Sequence, residues 1–246
     1  MSERHVVITG AAQGIGHAMA LGFVSAGWRV TGIDVRQAPA PFPLIAADVT
    51  DEAALADAFD RASDQQKIDA TIANAAVTDL THKSATDLEY SVWQRIMRVN
   101  VDGAFLTARL AARHMRPHRA GNIIFVTSSL AFIGAAQAND APYCASKAAI
   151  EMLKRVMALE LEDDGINVNS LFPSVMVDTG FFAHWSDEKR AALARADILN
   201  GAALFLAGLQ PGALTGVSLD QHRWDNDEAY QRQLRESVRA EPIILP

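Results

Sequence analysis

Short β-rich runs alternate with longer helical patterns from residue 5 to about residue 220. This alternation is typical of a doubly wound α/β fold, because parallel strands need crossover helices, which cover both faces of the sheet. The predicted strands, about seven in number, comprise residues 5–9, 29–33, 44–46, 68–73, 121–127, 166–172 and 217–219. The predicted helices comprise residues 14–27, 51–64, 88–115, 142–163 and 197–207. We therefore predict one parallel sheet with helices on both faces.

The chain shows no internal division. No repeat, low-complexity tract or Gly/Ser/Pro linker interrupts the 246 residues, so we predict a single domain over residues 1–246. Half of the residues are hydrophobic, which supplies enough apolar material for one core. The segment 174–196 breaks the alternation after the sixth strand, and we interpret it as a cover over an active site. A charged C-terminal tail begins at about residue 221.

The charge of the chain favours a small molecule as its partner. The net charge is −7 and no cluster of Lys and Arg is evident, which argues against nucleic acid and against an anionic membrane. No apolar run approaches the roughly 20 residues that span a bilayer. The N-terminal residues lack the pattern of a secretory signal, so we expect a cytoplasmic protein.

Metal chemistry is not predicted. The single cysteine, Cys144, excludes an internal disulfide and any multi-cysteine site, and it fits a reducing compartment. Among the seven histidines, His114 and His118 are four residues apart, but Pro117 breaks the helix that would align them. We therefore expect no metal ligands.

A glycine-rich turn, Thr-Gly-Ala-Ala-Gln-Gly-Ile-Gly over residues 9–16, follows the first predicted strand and opens the first predicted helix. Glycines let a backbone approach a pyrophosphate, which the amides and the dipole of a helix N-terminus favour. The spacing differs from G-x-G-x-x-G, so a turn that merely packs the helix on the strand is the alternative. The candidate cofactor-binding residues of this Rossmann-type turn are Gly10, Gln13, Gly14, Ile15 and Gly16.

An acidic residue ends the second predicted strand. Asp34 lies 18 residues beyond Gly16, where a carboxylate can accept hydrogen bonds from the adenosine ribose. A carboxylate there repels a 2′-phosphate, which favours NAD over NADP, although Arg36 is close by. Asp48 and Val49 are candidate contacts to the adenine, and helix capping is the alternative role of Asp48.

A tyrosine and a lysine share one face of a predicted helix. Tyr143 and Lys147 are four residues apart, so their side chains lie about one helical turn from each other. An adjacent ammonium stabilises a phenolate and lowers its pKa from about 10, which makes Tyr143 a plausible acid/base. Ser129 follows the fifth strand, at the sheet edge where ligands of such folds bind, and its neighbour Ser128 is the alternative. A surface Tyr-Lys pair and a capping serine are the non-catalytic interpretations.

These motifs, together with Asn74-Ala75 and Asn100, resemble the short-chain dehydrogenases/reductases in order and approximate spacing. The resemblance implies that Ser129 and Tyr143 hold the substrate oxygen. It implies that Lys147 binds the nicotinamide ribose and lowers the pKa of Tyr143, and that Asn100 holds a water in a proton relay to that lysine. It also implies further cofactor contacts at Asn74, Tyr143, Lys147, Pro173, Val177 and Thr179.

The resemblance is incomplete at the substrate and at the C-terminus. Residues 219–226 replace the usual Val-Asp-Gly-Gly, and the tail beyond them is interpreted as a solvated helix or as an arm that reaches a neighbouring subunit. The family forms tetramers or dimers, which implies a homo-oligomer with residues 88–115 and 142–163 at the dimer surfaces. The candidate substrate contacts are Ser129, Gln137, Asn139, Phe181, His184 and Trp185.

The leading hypothesis is an oxidoreductase that transfers a hydride between NAD(H) and a secondary alcohol or ketone. The mixture of aromatic and polar candidates favours a small polar substrate such as a polyol, sugar or hydroxy acid. Two alternatives stay open: a ketone reductase that uses NADPH, and a regulatory protein that binds NAD without turnover. The intact Ser129, Tyr143 and Lys147 set argues against the second alternative.

Overall fold

A computed structural model describes residues 3–64 and 66–237. Seven parallel strands form one sheet in the order β3-β2-β1-β4-β5-β6-β7, with helices on both faces, which confirms the predicted α/β fold class. The strands are β1 His5–Thr9, β2 Arg29–Asp34, β3 Leu44–Ala46, β4 Ala70–Ala73, β5 Gly121–Val126, β6 Ile166–Phe172 and β7 Ser218–Asp220. Strand β4 therefore begins two residues later than predicted, and β7 is shifted by one residue.

The described helices are α1 Gly14–Ser25, α2 Glu52–Ser63, α3 Tyr90–Met97, α4 Gly103–Met115, α5 Ala141–Glu160, α6 Asp187–Arg190, α7 Asn200–Ala207, α8 Gln221–Asn226 and α9 Glu228–Ser237. The stretch predicted as helical over residues 88–115 is helical from Tyr90 to Met115. A π-helical segment, Arg98–Asp102, separates α3 from α4. Its central residue, Asn100, is buried and hydrogen-bonds outside the helix, as is common where an α-helix contains a π-helical turn at a functional position.

Two apolar layers flank the sheet. Strand β5 is buried along its whole length, and its side chains alternate between the layers, as successive side chains of a strand must. Ile123 and Phe125 pack with α2, α4 and α5, whereas Ile124 and Val126 pack with α1 and α7. The carboxyl ends of β1, β4, β5 and β6 are thereby fixed at one edge of the sheet.

The segment 174–196 contains short turns rather than long elements. A turn of 3₁₀-helix, Gly180–Phe182, is followed by α6, and Val177 pairs with Ala194. Nε and Nη2 of Arg190 donate to Oδ1 and Oδ2 of Asp178 at 2.9 and 3.1 Å, which joins the two halves of this segment. It is a compact loop over the carboxyl end of the sheet, beside the glycine turn.

The described part of the C-terminal tail packs on its own subunit. Trp224 of α8 is buried and stacks on Phe205 of α7, with ring centroids 4.5 Å apart. The guanidinium of Arg235 lies 5.1 Å from the Trp224 ring. Residues 221–237 thus form helices with an exposed polar face, and an aromatic anchor ties them to α7. The rest of the predicted tail, residues 238–246, lies outside the described residues.

Candidate active site

The glycine turn connects β1 to α1 with a backbone conformation that favours glycine. Gly10 and Gly14 have φ angles of +70° and +58°, in the left-handed region. A Cβ on Gly16 would lie 2.1 Å from the carbonyl oxygen of Gly10, so the helix and the turn are in direct backbone contact there. Gln13 at the N-cap of α1 makes no side-chain cap, which leaves the first helical amides to another acceptor. These features fit a dinucleotide pyrophosphate.

Asn74, which follows β4, supports the turn from below. Its Nδ2 donates to the carbonyl oxygens of Thr9 and Gly10 at 2.9 and 3.3 Å. The hydroxyl of Thr9 in turn accepts from the backbone amides of Asn74 and Ala75. The described contacts of Asn74 therefore support the backbone of the glycine turn. The cofactor contact that the resemblance implies for Asn74 stays a prediction.

The acid at the end of β2 lies against the same turn. Asp34 accepts from the amide of Ala12 at 3.0 Å through Oδ2 and from the amide of Arg36 at 2.9 Å through Oδ1. Each oxygen keeps a second lone pair with which it can accept from a ribose hydroxyl. The Arg36 guanidinium donates to Oε1 of Gln13 at 2.6 Å, so it lies across the mouth of the turn.

The two residues after β3 have different environments. Asp48 accepts from the amide of Thr50 at 2.8 Å, and the N-cap of α2 is Asp51 instead. The capping alternative for Asp48 is therefore wrong. Val49 is buried, and a Cβ on Gly103 would lie 2.6 Å from its Cγ2, which shows how closely α4 packs there.

Tyr143 and Lys147 occupy the first turns of α5, on the face that meets β5. Nζ of Lys147 donates to the carbonyl oxygen of Val126 at 2.9 Å and lies 5.6 Å from the centre of the Tyr143 ring. Burial lowers the pKa of Lys147 to about 8, while the charge of Glu151 acts in the opposite direction. The helical spacing thus brings the ammonium beside the phenol, as the sequence predicts.

The hydroxyl of Ser128 acts on the phenol of Tyr143. A hydrogen bond joins the Ser128 and Tyr143 side chains and lowers the pKa of the phenol. Burial has the larger effect and raises that pKa, and the Asp140 carboxylate raises it further. Ser129 begins a short 3₁₀ turn that Ser128 caps by accepting from the amide of Leu130. Together these effects place the pKa of Tyr143 above that of a free phenol.

Asn100 lies beneath the site and clamps a neighbouring loop. Its Oδ1 accepts from the amide of Val77 at 2.8 Å, and its Nδ2 donates to the Val77 carbonyl at 3.0 Å. The same Nδ2 donates to the hydroxyl of Ser146, which donates to the Tyr143 carbonyl. The side chain of Asn100 thus joins the loop after β4 to the first turn of α5.

The covering segment joins the two halves of the site. A Cβ on Gly14 would lie 3.5 Å from Thr179, and a Cβ on Gly180 would lie 3.2 Å from Nε2 of Gln13. One residue further, the ring of Phe181 meets the ring of Tyr143 edge-on at 6.3 Å. The glycine turn and the tyrosine therefore border one space, roofed by residues 179–181.

The other candidate contacts lie farther from the tyrosine. Gln137 and Asn139 are exposed in the loop between the serines and α5, and His184 is exposed at the tip of the covering segment. Trp185 packs on Phe182, with 4.8 Å between ring centroids. Val177, in the same segment, is buried, and Pro173, just before the segment, is half-buried. None of these side chains has a described contact with Tyr143.

A buried acid near the tyrosine, Asp140, was not among the residues singled out from the sequence. Asp140 precedes α5 at its N-cap, yet its carboxylate makes no cap, and its buried Oδ1 has no hydrogen-bond partner among the described residues. Burial raises the pKa of Asp140 to about 6. The charge of His82 lowers this pKa, whereas the charge of Asp79 raises it further. No sequence signal marks Asp140, because an aspartate before a helix normally caps it.

Two further predictions concern metal and membrane. Within residues 3–64 and 66–237, no group of three or more His, Cys, Asp or Glu side chains is arranged to hold a metal ion. In the same described ranges, no helix combines the length and the apolar character that crossing a membrane requires. Cys144 is a free, half-buried thiol on α5.

Comparison with known proteins agrees with this geometry. The short chain dehydrogenase family profile matches residues 4–190. Cis-4-hydroxycyclohexanecarboxylate dehydrogenase from Sinomonas cyclohexanicum is 32% identical over 205 residues, which cover 78% of this chain and 81% of that protein. NAD-dependent glycerol dehydrogenase from Listeria innocua is 33% identical over 189 residues, 72% of each chain.

A solved structure has the same architecture. A putative NAD(P)-dependent gluconate 5-dehydrogenase from Beutenbergia cavernae, with bound NADP at low occupancy, superposes with a TM-score of 0.78. It is 28% identical, and the alignment covers 90% of this chain and 96% of the other. With its family profile match, its sequence relatives and its grouped Ser128, Tyr143 and Lys147, the chain belongs to the short-chain dehydrogenase/reductase family of oxidoreductases that act on alcohols.

Proposed function

We propose that this protein is an NAD-dependent dehydrogenase that interconverts a secondary alcohol and a ketone. The observation that carries the proposal is the grouping of Tyr143, Lys147 and Ser128 beside the glycine turn, under the roof formed by residues 179–181. In this arrangement the glycine turn binds the dinucleotide, and Tyr143 on the opposite side of the space transfers a proton. This arrangement suits a reaction in which hydride and proton leave one CH–OH group in different directions.

The chain supplies the proton chemistry and the orientation. NAD supplies the hydride acceptor. Tyr143, as phenolate, takes the proton from the substrate hydroxyl, and the Ser128 hydroxyl hydrogen-bonds to the same oxygen. The ammonium of Lys147, 5.6 Å from the centre of the Tyr143 ring, would stabilise the phenolate. In ketone reduction Tyr143 donates the proton to the carbonyl oxygen.

The preference for NAD rests on Asp34. Its carboxylate faces the glycine turn from the end of β2, where it would accept from the two ribose hydroxyls and repel a 2′-phosphate. Arg36 is the group that could pair with the 2′-phosphate of NADP, but its hydrogen bond to Gln13 holds it at the glycine turn. Dissociation constants for NADH and NADPH should differ by at least about tenfold in favour of NADH, and the reverse order would reject this choice.

We propose a small polar substrate. The named relatives act on hydroxylated compounds, glycerol in one case and a hydroxycyclohexanecarboxylate in another. NAD reduction over a panel of polyols, sugars, hydroxy acids and apolar secondary alcohols tests this, with Tyr143→Phe as the control. Turnover that Tyr143→Phe abolishes would support the proposal. NAD binding without turnover on any compound would instead indicate a regulatory protein.

We further propose that the protein is a homo-oligomer. Apolar side chains are exposed on α4 and α5, the two helices expected at a dimer surface. Phe105 is 40% exposed, Met152 62%, Val156 43% and Leu159 60%. Exposed apolar side chains of this kind favour association. Light scattering coupled to size-exclusion chromatography should give a dimer or tetramer, and Met152→Glu with Leu159→Glu should dissociate it.

A further inference from the structure

Helix α5 buries an acid and a base just beyond the catalytic pair. Glu151 and Lys154 form an ion pair with 3.2 Å between Oε2 and Nζ, and their side chains are 12% and 2% exposed. Burying two charges is costly, and apolar residues of similar size often give equal or greater stability. Stability alone therefore gives no reason for an ion pair at these two positions.

The Glu151 carboxylate binds three neighbouring strands at once. Oε1 accepts from the hydroxyls of Thr127 and Ser170 at 2.6 and 2.7 Å, and Oε2 accepts from the hydroxyl of Ser218 at 2.6 Å. Thr127 directly follows β5, Ser170 lies in β6 and Ser218 begins β7. Four partners, with Lys154 included, fix this carboxylate in one position.

Lys154 completes the network on the far side. Its Nζ donates to the carbonyl oxygen of Gly216 at 3.0 Å and to the Ser218 hydroxyl at 2.7 Å. The strands thus present hydroxyls and a carbonyl to the pair. The other charged groups that act on it lie on α5 itself: Lys147 one turn before Glu151, and Arg155 next to Lys154.

Two paths lead from Glu151 to the active site. Along α5, Glu151 follows Lys147 by four residues, so both side chains extend from the same face towards β5. Along β5, Thr127 stands between Val126, whose carbonyl accepts from Lys147, and Ser128, whose hydroxyl meets Tyr143. One carboxylate therefore contacts the strand end that positions both catalytic partners.

We propose that Glu151 is a positioning residue of the active site: it holds the end of β5 against α5 and places its negative charge one helical turn from Lys147. The inference rests on the proposed function, because the ammonium of Lys147 is what would bind the nicotinamide ribose.

The sign of the expected effect follows from the charges. Burial lowers the pKa of Lys147 to about 8, and the Glu151 carboxylate opposes that change. Without the carboxylate, Lys147 loses its proton at a lower pH. The affinity for NADH, which depends on the ammonium, should then fall at a lower pH as well.

The test is NADH binding, followed by the change in protein fluorescence from about pH 6 to about pH 10. In the wild type, affinity should fall with a midpoint near the pKa of Lys147. Glu151→Gln should lower this midpoint by about one pH unit, since a unit charge at helix-turn distance acts through a partly screened interior. The turnover rate of Glu151→Gln, measured in parallel, should likewise begin to fall at a lower pH than that of the wild type.

Lys154→Met is the matched control. It also breaks the ion pair and leaves a buried charge unpaired, so it should reduce thermal stability about as much as Glu151→Gln does. It keeps the carboxylate, however, so the midpoint for NADH should stay or rise. The double variant Glu151→Gln/Lys154→Met contains neither charge. It should recover much of the stability and still show the lowered midpoint, which keeps the test valid if Glu151→Gln alone fails to fold.

The outcomes separate the inference from the proposed function. A lowered midpoint in both variants that lack the carboxylate, but not in Lys154→Met, supports the role of Glu151. Equal midpoints in all four proteins, or an equal decrease in Lys154→Met, would leave Glu151 with a structural role only and overturn the inference. Failure of the wild type to bind NADH would overturn both proposals together.

Discussion

The ring of Phe181 stands edge-on to the ring of Tyr143, with 6.3 Å between the centroids and 89° between the planes. Phe181 belongs to the covering segment, whereas Tyr143 belongs to the rigid first turn of α5. The contact therefore couples the position of a surface loop to the group that moves the proton. Closure of the loop over a substrate would bring an aromatic wall against the reacting carbon.

Phe181→Ala should raise the KM of the alcohol substrate by about three- to tenfold, because an aromatic contact contributes about 0.5–1.5 kcal/mol beyond its buried area. Phe182→Ala is the control, since its ring packs on Trp185 within the segment. Steady-state kinetics at saturating NAD measures both variants. Equal KM changes would mean that the segment is merely loosened and that Phe181 forms no substrate wall.

The two neighbouring serines can be distinguished by their hydroxyls. Because Ser128 contacts Tyr143, Ser128→Ala should lower kcat by about a hundredfold, the usual cost of losing a hydrogen-bond donor to a reacting oxygen. Ser129→Ala should lower kcat less than about tenfold. The two values of kcat, with melting temperatures to confirm folding, decide between them. The opposite order would restore the assignment that the resemblance gives to Ser129.

The glycine turn offers two variants whose added methyl groups would meet very different amounts of free space. In Gly16→Ala the methyl group would lie 2.1 Å from the Gly10 carbonyl, so the turn must move and NADH affinity should fall at least about a hundredfold. In Gly14→Ala the methyl group meets only Thr179 at 3.5 Å. That variant incurs left-handed strain of about 1–2 kcal/mol, which should appear in thermal unfolding. Similar losses of NADH affinity in both would argue against a backbone-lined cofactor cradle.

Local patterns were sufficient to predict the fold and the catalytic helix. Strand and helix periods, and the four-residue spacing of Tyr143 and Lys147, are properties of neighbouring residues, and the structure reproduces them. The π-helical segment at Asn100 was not predictable in this way. The side chain of Asn100 hydrogen-bonds to Val77, a partner 23 residues away in the loop after β4. A periodic pattern carries no information about such a partner.

Three features of the site could not be predicted from the local sequence, for related reasons. Ser128 and Ser129 are equivalent in composition, and only the direction of the chain after β5 determines which hydroxyl reaches Tyr143. Glu151 has the spacing of an ordinary helix-surface residue, and its burial comes from hydroxyls on three strands. Asp140 resembles a helix cap, yet it makes none. In each case tertiary packing overrode the local preference.

Asp140 should make the stability of the protein depend on pH. Its pKa is about 6 in the folded protein and 3.8 for the free side chain, so the folded state holds the proton more tightly. The stability it provides is therefore full below about pH 4 and is lost as the pH rises through 6. The shift of roughly two units corresponds to at most about 3 kcal/mol of unfolding free energy.

Asp140→Asn removes this titration, because the amide stays neutral. Relative to the wild type, the variant should gain stability between about pH 4 and about pH 6 and keep the gain at higher pH. Chemical denaturation at about pH 4 and about pH 7 measures the difference, and the low-pH value corrects for any change in packing. The Asp140 carboxylate also raises the pKa of Tyr143, so the variant should oxidise its alcohol at a lower pH than the wild type does. A stability difference that is the same at both pH values would show that the carboxylate is solvated rather than buried.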